Sequence, residues 1–260
     1  MRAAFWRTPL TADEGGYAEV ARLWKSGVRL YDGAWVDRPQ GLLLVFRGLL
    51  DLGGGSPASL RVLAAVVAML VVVATMVVAI RTCGRIEAAA AGLLLGTFAA
   101  SPFIESFTLS GELLAALPAV LSMLAFTCYL ARRRVGWLVV AGLLTGCAVM
   151  VKQSAFDAGL AAVLVLLASE RRRGLGKAAV LVLAALVPVA LAAASAPHPH
   201  DWWHAVVAYR GEGDSLVTGS PVHRLGQLVH SLPSAAKALG LLALLAAIGW
   251  RSSPPIARLW

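Results

Sequence analysis

Residues 58–80 read ASLRVLAAVVAMLVVVATMVVAI. A helix crosses the hydrocarbon core of a bilayer in roughly 20 predominantly apolar residues, within a range of about 17–25. This run has that length and character. Further apolar runs of helical length fall at about 88–104, 112–131, 135–151, 155–169, 178–196 and 237–250. The runs at 58–80, 112–131 and 178–196 are long enough alone. The others are short, or bounded by proline or a charge, and are covered by pairing with neighbouring helices and by local thinning of the bilayer. Open strands are excluded at this depth, because lipid cannot satisfy free backbone groups. The expected fold is all-α: a polytopic transmembrane bundle of about seven helices.

Composition agrees. Of the 260 residues 59% are hydrophobic and 14% charged, against roughly 25% charged in soluble domains. The net charge of +9 would suit a nucleic-acid binder, but its distribution excludes one. Arg81, Arg85, Arg132, Arg133, Arg134, Arg171, Arg172, Arg173, Lys177, Arg251 and Arg258 sit in four short connections or ends. Placing Arg81–Arg85 inside puts all four groups on one side, the positive-inside pattern. It puts 1–57, 101–111, 152–157 and 197–236 outside, together with most of the Asp and Glu. Cys83, Cys128 and Cys147 are unevenly spaced in or beside apolar stretches, with neither a disulfide framework nor metal spacing.

The expected organisation is an extracytoplasmic segment 1–57, a six-helix membrane bundle 58–196, an extracytoplasmic loop 197–236, and a last helix with a cytoplasmic tail over 237–260. Nothing within 1–57 could carry that segment across a membrane. An upstream helix is therefore expected, with the chain cut short at its start and, from Pro254-Pro255 to Trp260, at its end. Within 1–57, Tyr17, Val20, Ala21 and Trp24 recur on one helical face, with Gly27 as a stop signal. This predicts an amphipathic helix lying in the interface. Leu42 to Leu50 predicts a second.

Chemistry-bearing residues gather on the outer side. Asp13-Glu14 opens the amphipathic helix. Thr11-x-x-Glu14 also matches a capping box, and both readings stand together because capping would hold the pair rigid. Asp37-Arg38-Pro39-Gln40-Gly41 reads as a turn or as a charged motif. Lys152-Gln153 lies at the outer end of the fourth run, where Lys152 either snorkels to the interface or faces a lipid phosphate. Glu105 and Glu112 flank an outer turn, where Glu112 suits a helix N-terminus. His198, His200 and His204 resemble metal ligands near Asp201, but Trp202-Trp203 beside them fits an interfacial anchor better. No metal site is assigned.

These residues in this order resemble the polytopic GT-C glycosyltransferases of glycosyltransferase family 39, the protein O-mannosyltransferases and aminoarabinose transferases. The resemblance runs from about residue 11 to 170. Asp13-Glu14-Gly-Gly-Tyr17-Ala resembles the family's Asp-Glu-x-x-Tyr-Ala segment. Gly27 to Tyr31 through Asp37-Arg38-Pro39-Gln40-Gly41 resembles a stretch ending in Lys-Pro-Pro-Gly, with Arg38 for the lysine and Gln40 for the second proline. Ser110-Gly111-Glu112-Leu113 resembles the acidic start of a later helix. Gly142 to Gly146 through Lys152-Gln153 resembles a Gly-x-x-x-Gly … Lys-Gln segment.

The resemblance implies an inverting transferase with a polyprenyl-phosphate sugar donor, a glycan, lipid or protein acceptor, and no nucleotide sugar. It implies Asp13 as the base and Glu14 as the group orienting base or acceptor. Arg38 and Lys152 would neutralise the leaving phosphate, with Asp37, Tyr17, Glu112 and Gln153 completing a site for substrate. A divalent metal is left open and no other cofactor is expected. The expected location is the plasma (inner) membrane, with the site facing outside. Relatives carry a preceding helix and a longer C-terminal region that helps bind substrate, so a chain lacking them is a candidate for inactivity. Two rivals remain. A transporter or flippase would bury charges near the bilayer midplane, and a lipid-binding scaffold of the same fold would not need Asp13 or Arg38.

Overall fold

The computed structural model describes residues 6, 8–52, 55–99, 107–209, 211–212 and scattered positions between 225 and 247. Among the described residues the structure is helical, with a single bridge between Leu30 and Ala34. The expected last helix over 237–250 and the tail beyond it lie largely outside the described residues, as does Glu105.

The helices are α1 (Ala12–Lys25), α2 (Gln40–Asp51), α3 (Pro57–Thr82), α4 (Arg85–Phe98), α5 (Gly111–Arg132), α6 (Gly136–Val151), α7 (Asp157–Ser195) and α8 (Pro199–Trp203), the last followed by a π-helical turn at His204–Ala208. Their starts follow local rules. The hydroxyls of Ser56 and Ser110 accept from the amides of Ser59 and Leu113, and Pro57 occupies the first turn of α3, where its missing N–H costs nothing. Between α3 and α4 the chain turns at Gly84 with φ 151°, a conformation that side chains disfavour.

Among the described residues, three spans are long and apolar enough to cross a membrane: Pro57–Thr82, Gly111–Arg132 and Arg172–Ser195. The chain is an integral membrane helix bundle. The helical run of α7 hides a reversal. A straight helix of its 39 residues would reach about 58 Å, nearly twice the hydrocarbon thickness. Instead Gly159 packs on Thr145 of α6, whereas α6 residues Gly142 and Gly146 meet the backbone of Leu181 and Ala185. Gly174 lies against the backbone of Leu166, a pair about 12 Å apart along a straight helix. The first half of α7 therefore descends antiparallel to α6 and the second half returns parallel to it. The expected runs 155–169 and 178–196 are these two limbs.

Close approach of α6 to the returning limb depends on Gly142 and Gly146, where a Cβ would collide with backbone. This small-residue seam is the usual way to bring membrane helices together. The α5–α6 contact adds a polar tie: the Ser122 hydroxyl donates to the Ala141 carbonyl at 2.8 Å and shares a bond with Thr145 at 2.9 Å.

At one end of the bundle the starts of α3 and α5 and the ends of α6 and α7 come together, and α1, α2 and α8 cover them. Tyr17, Ala21, Leu42, Leu43, Phe46 and Trp202 are buried there. The expected amphipathic face of α1 exists, with Tyr17 edge-on to Phe46 of α2 at 5.7 Å. It packs on protein, and Trp24 lies under Arg47, whose guanidinium carbon is 4.8 Å from the ring centroid.

Candidate active site

Helical geometry separates Asp13 from Glu14. Successive residues point about 100° apart, so one faces out and the other in. Thr11 caps α1, its hydroxyl accepting from the Glu14 amide, while the Glu14 carboxylate accepts from the Thr11 amide at 3.1 Å. The other Glu14 oxygen accepts from the Leu109 amide at 2.8 Å and from Nη1 of Arg61. Glu14 is 1% exposed and Arg61 is 4% exposed. Arg61 also donates to the Pro9 carbonyl at 3.0 Å and lies 5.4 Å from the Phe107 ring centroid. Burial pushes the Glu14 carboxyl up, but Arg61 and the amides of Leu109 and Thr11 outweigh it and hold the group below its ordinary value. The acceptor sites of Glu14 are occupied by protein, so the group anchors α1 to α3.

Asp13 is exposed. The phenol of Tyr17, one turn on, donates to its Oδ2 at 3.3 Å. The same phenol oxygen accepts from Nε of Arg38 at 3.0 Å. Nη1 of Arg38 donates to Asp37 at 2.6 Å, and Nη2 carries no partner among the described residues. Burial raises the Tyr17 phenol; the Arg38 charge opposes this, the Asp13 carboxylate adds to it, and the balance leaves the phenol raised. Tyr17 thus keeps its proton at neutral pH and links the Asp13 carboxylate to the Arg38 guanidinium. Burial disfavours the Arg38 charge, but Tyr17 and Asp37 reverse the balance and raise it.

The loop carrying Arg38 is fixed from several sides. The Tyr31 phenol donates to the Arg38 carbonyl at 3.0 Å, from a backbone with φ 73°. Pro39 caps α2, and Gly41 lies against the Met150 carbonyl, where a Cβ would not fit. Gly41 therefore brings the start of α2 onto the end of α6. Gln40 departs from the proline of the motif it resembles, and its amide is used. It donates to the Ala192 carbonyl at 3.0 Å, while its oxygen accepts from the Trp202 indole at 2.9 Å. Gln153 donates to the Asp37 carbonyl at 2.9 Å and to the Val206 carbonyl at 3.2 Å.

Lys152, beside Gln153, turns the other way and pairs with Glu112 at the start of α5. Both stand over a cavity of about 480 Å³. Val71, Leu95, Ala115, Ala119 and Val120 form its apolar wall, and Lys152, Glu112, Ser154 and Asp157 its polar rim.

The structure thus brings together Asp13, Tyr17, Arg38 and Asp37. Gln153 joins them through backbone, Lys152 and Glu112 form an adjoining pair, and Glu14 lies apart in the interior. Sequence reasoning missed Arg61 and Asp157, read Gln40 only as a departure from proline, and read Trp202 as an interfacial anchor, whereas it is buried and donates to Gln40. A lone cation in an otherwise apolar run was the available signal for Arg61. The histidines diverge: His198 meets Arg29 at 3.5 Å, His200 meets Asp201 at 3.4 Å and His204 meets Glu212 at 3.0 Å. No group of three potential metal ligands occurs among the described residues.

Comparison with known proteins adds one finding. A family model described as dolichyl-phosphate-mannose-protein mannosyltransferase matches residues 37–198. The match takes in Asp37, Arg38, Glu112, Lys152 and Gln153, and begins after Asp13, Glu14 and Tyr17. No curated protein and no solved structure matches the chain.

Proposed function

The chain belongs to the dolichyl-phosphate-mannose-protein mannosyltransferase family, and on that premise we propose that it moves a hexosyl or pentosyl group from a polyprenyl-phosphate donor to an acceptor hydroxyl, with inversion. The family and the apolar helices make this a membrane glycosyltransferase of the GT-C type. The observation that carries the proposal is the shared Tyr17 phenol, which lies between a carboxylate and a guanidinium.

In this reading Asp13 accepts the proton of the acceptor hydroxyl as its oxygen attacks the anomeric carbon. A base must reach that proton within hydrogen-bond distance, and an exposed carboxylate on a capped helix can. The bond from the anomeric carbon to the phosphate oxygen breaks, and its electron pair stays on the phosphate. Arg38 faces the growing charge with Nη2, as electrostatic stabilisation requires, and Asp37 and Tyr17 hold its plane. Lys152 supplies a second cation at the cavity rim, where Glu112 keeps it in place until a phosphate competes. The apolar wall below suits the first isoprene units of the donor. The acceptor is a glycan, lipid or protein, and the site faces the outside of the plasma membrane. Residues 1–57 and 197–236 then serve as extracytoplasmic segments around a membrane bundle.

The test is transfer from a panel of radiolabelled polyprenyl-phosphate sugars, in membranes expressing the chain. Wild type should label an acceptor, and Asp13→Asn should lower transfer by about 100-fold or more. Full activity in Asp13→Asn would overturn the base assignment. Arg38→Gln should lose transfer while retaining fold, and Arg38→Lys should recover part of it.

A further inference from the structure

The end of the bundle away from Asp13 holds a second polar cluster that the transfer reaction does not use. Glu170 sits where α7 folds back, its side chain 15% exposed. One oxygen accepts from the Tyr129 phenol at 3.0 Å and from Nη1 of Arg133 at 2.8 Å, and the other accepts from Nζ of Lys177. Tyr129 is fully buried, and its ring faces both cations, at 5.8 Å from Arg133 and 5.5 Å from Lys177. A single carboxylate therefore ties the α5–α6 connection to the fold of α7. Arg132 and Arg134 flank Arg133 and Arg172 and Arg173 closely follow Glu170 in the chain, and all four are exposed. Arg132 lies 5.8 Å from the Trp137 ring centroid. Arg134, Arg172 and Arg173 have no carboxylate partner among the described residues.

We propose that this cluster is a binding site for the phosphodiester headgroup of an anionic phospholipid. Orienting a membrane protein requires only that the right number of cations lie in the loops. It does not require that cations from two connections converge on one carboxylate. Left alone, these side chains would repel one another and spread. Glu170, shared between Arg133 and Lys177, holds the two connections together and leaves the outer arginines facing the headgroup layer. Guanidinium groups pair with phosphate oxygens in a fork, and basic pockets between helices are where membrane proteins collect anionic headgroups. The excess of positive charge fits an anionic lipid and rejects a zwitterionic one.

Net charge and geometry predict opposite results for one variant. Glu170→Gln makes the cluster more positive yet releases the clamp. The full chain, purified in detergent, is titrated with phosphatidylglycerol and with phosphatidylcholine, and bound lipid is counted by native mass spectrometry. Retention of phosphatidylglycerol over phosphatidylcholine is expected. It should fall at least about tenfold when Arg134→Gln, Arg172→Gln and Arg173→Gln are combined, with the clamp intact so that the fold is kept. Glu170→Gln should also weaken retention. Arg81→Gln, in another connection, should leave it unchanged. Equal or tighter binding in Glu170→Gln would mean that bare charge does the work, and would overturn the site. Equal retention of phosphatidylcholine, or full competition by free glycerol phosphate, would overturn the lipid assignment.

Discussion

Asp13 and Glu14 are neighbours in sequence and opposites in environment, and the difference sets what each can do. Asp13 keeps contact with solvent and with the Tyr17 phenol, whereas Glu14 pairs with Arg61 in the interior. Because Glu14 titrates below its ordinary value when docked, protonation favours the undocked form. The stabilisation it contributes is complete above the ordinary carboxylate range, about pH 4.3. It is lost as pH falls through the lowered native value. The protection factors of the α1 amides, taken against the intrinsic exchange rate at each pH, should therefore be high at neutral pH and fall in acid. Glu14→Gln should already exchange faster at pH 7, because breaking a buried pair typically costs about 3–5 kcal/mol, and should show a weaker acid response. Unchanged exchange in that variant would mean that α1 is held by something else. Tyr17→Phe keeps the packing on Phe46 but removes the hydroxyl between Asp13 and Arg38. Transfer should drop about 10- to 100-fold with α1 protection intact, and a wild-type rate would remove Tyr17 from the site. The sequence made Asp13, Tyr17 and Arg38 visible because each lies in a short polar motif. It could not reveal Arg61 as the partner of Glu14, because 47 positions separate them and no local pattern links a cation in an apolar run to an acid in a capping box.

At the scale of elements, apolar runs translate directly into helices, since lipid leaves the backbone no other way to satisfy itself. The expected run 58–80 is α3, and 112–131 is α5, with bounds moved a residue or two by Ser56 and Ser110 as caps. Which helix packs on which was not legible. Gly142 and Gly146 stand out in the sequence as a spaced pair, but only the structure shows the returning limb of α7 lying in the seam they make. Filling that seam should separate the two helices. Gly146→Ala places a methyl against the Ala185 carbonyl and should destabilise the bundle by about 1–3 kcal/mol, read as a lower melting temperature in detergent. Gly96→Ala in α4 meets nothing within 4 Å and should be neutral or slightly stabilising, since alanine suits a helix interior by roughly 0.5–1 kcal/mol. Equal melting temperatures for the two variants would remove the seam from the account. The stretch from residue 197 shows the complementary limit. Its polar and proline-rich character reads as loop, yet α8 and the π turn form there because Trp202, Ala205 and Val206 find a buried surface. The bonds that hold them come from Gln40 and Gln153, too far away in sequence to be foreseen.

For the whole molecule, the two ends of the bundle carry different chemistry. Asp13, Asp37, Glu112 and Asp157 belong to one end, and the Glu170 clamp with its surrounding arginines to the other. This polarity follows from the alternation of α3 to α7 together with the reversal inside α7. The same separation of charges was readable in the loops of the sequence, because membrane insertion sorts cations by side. The fold-back of α7 falls where the sequence places a basic connection between the runs 155–169 and 178–196. Connectivity then makes a test of orientation possible. Cys83 is exposed at the α3–α4 turn, and Leu52, 87% exposed, lies just before α3 at the opposite end. In a Cys147→Ser background, with right-side-out vesicles, an impermeant maleimide should label Leu52→Cys at once. It should reach Cys83 only after permeabilisation. Both thiols reacting from outside would contradict the crossing of α3. The reverse pattern would keep the fold but place Asp13 and Arg38 on the cytoplasmic side, and the acceptor would then have to be sought among cytoplasmic glycans, lipids or proteins.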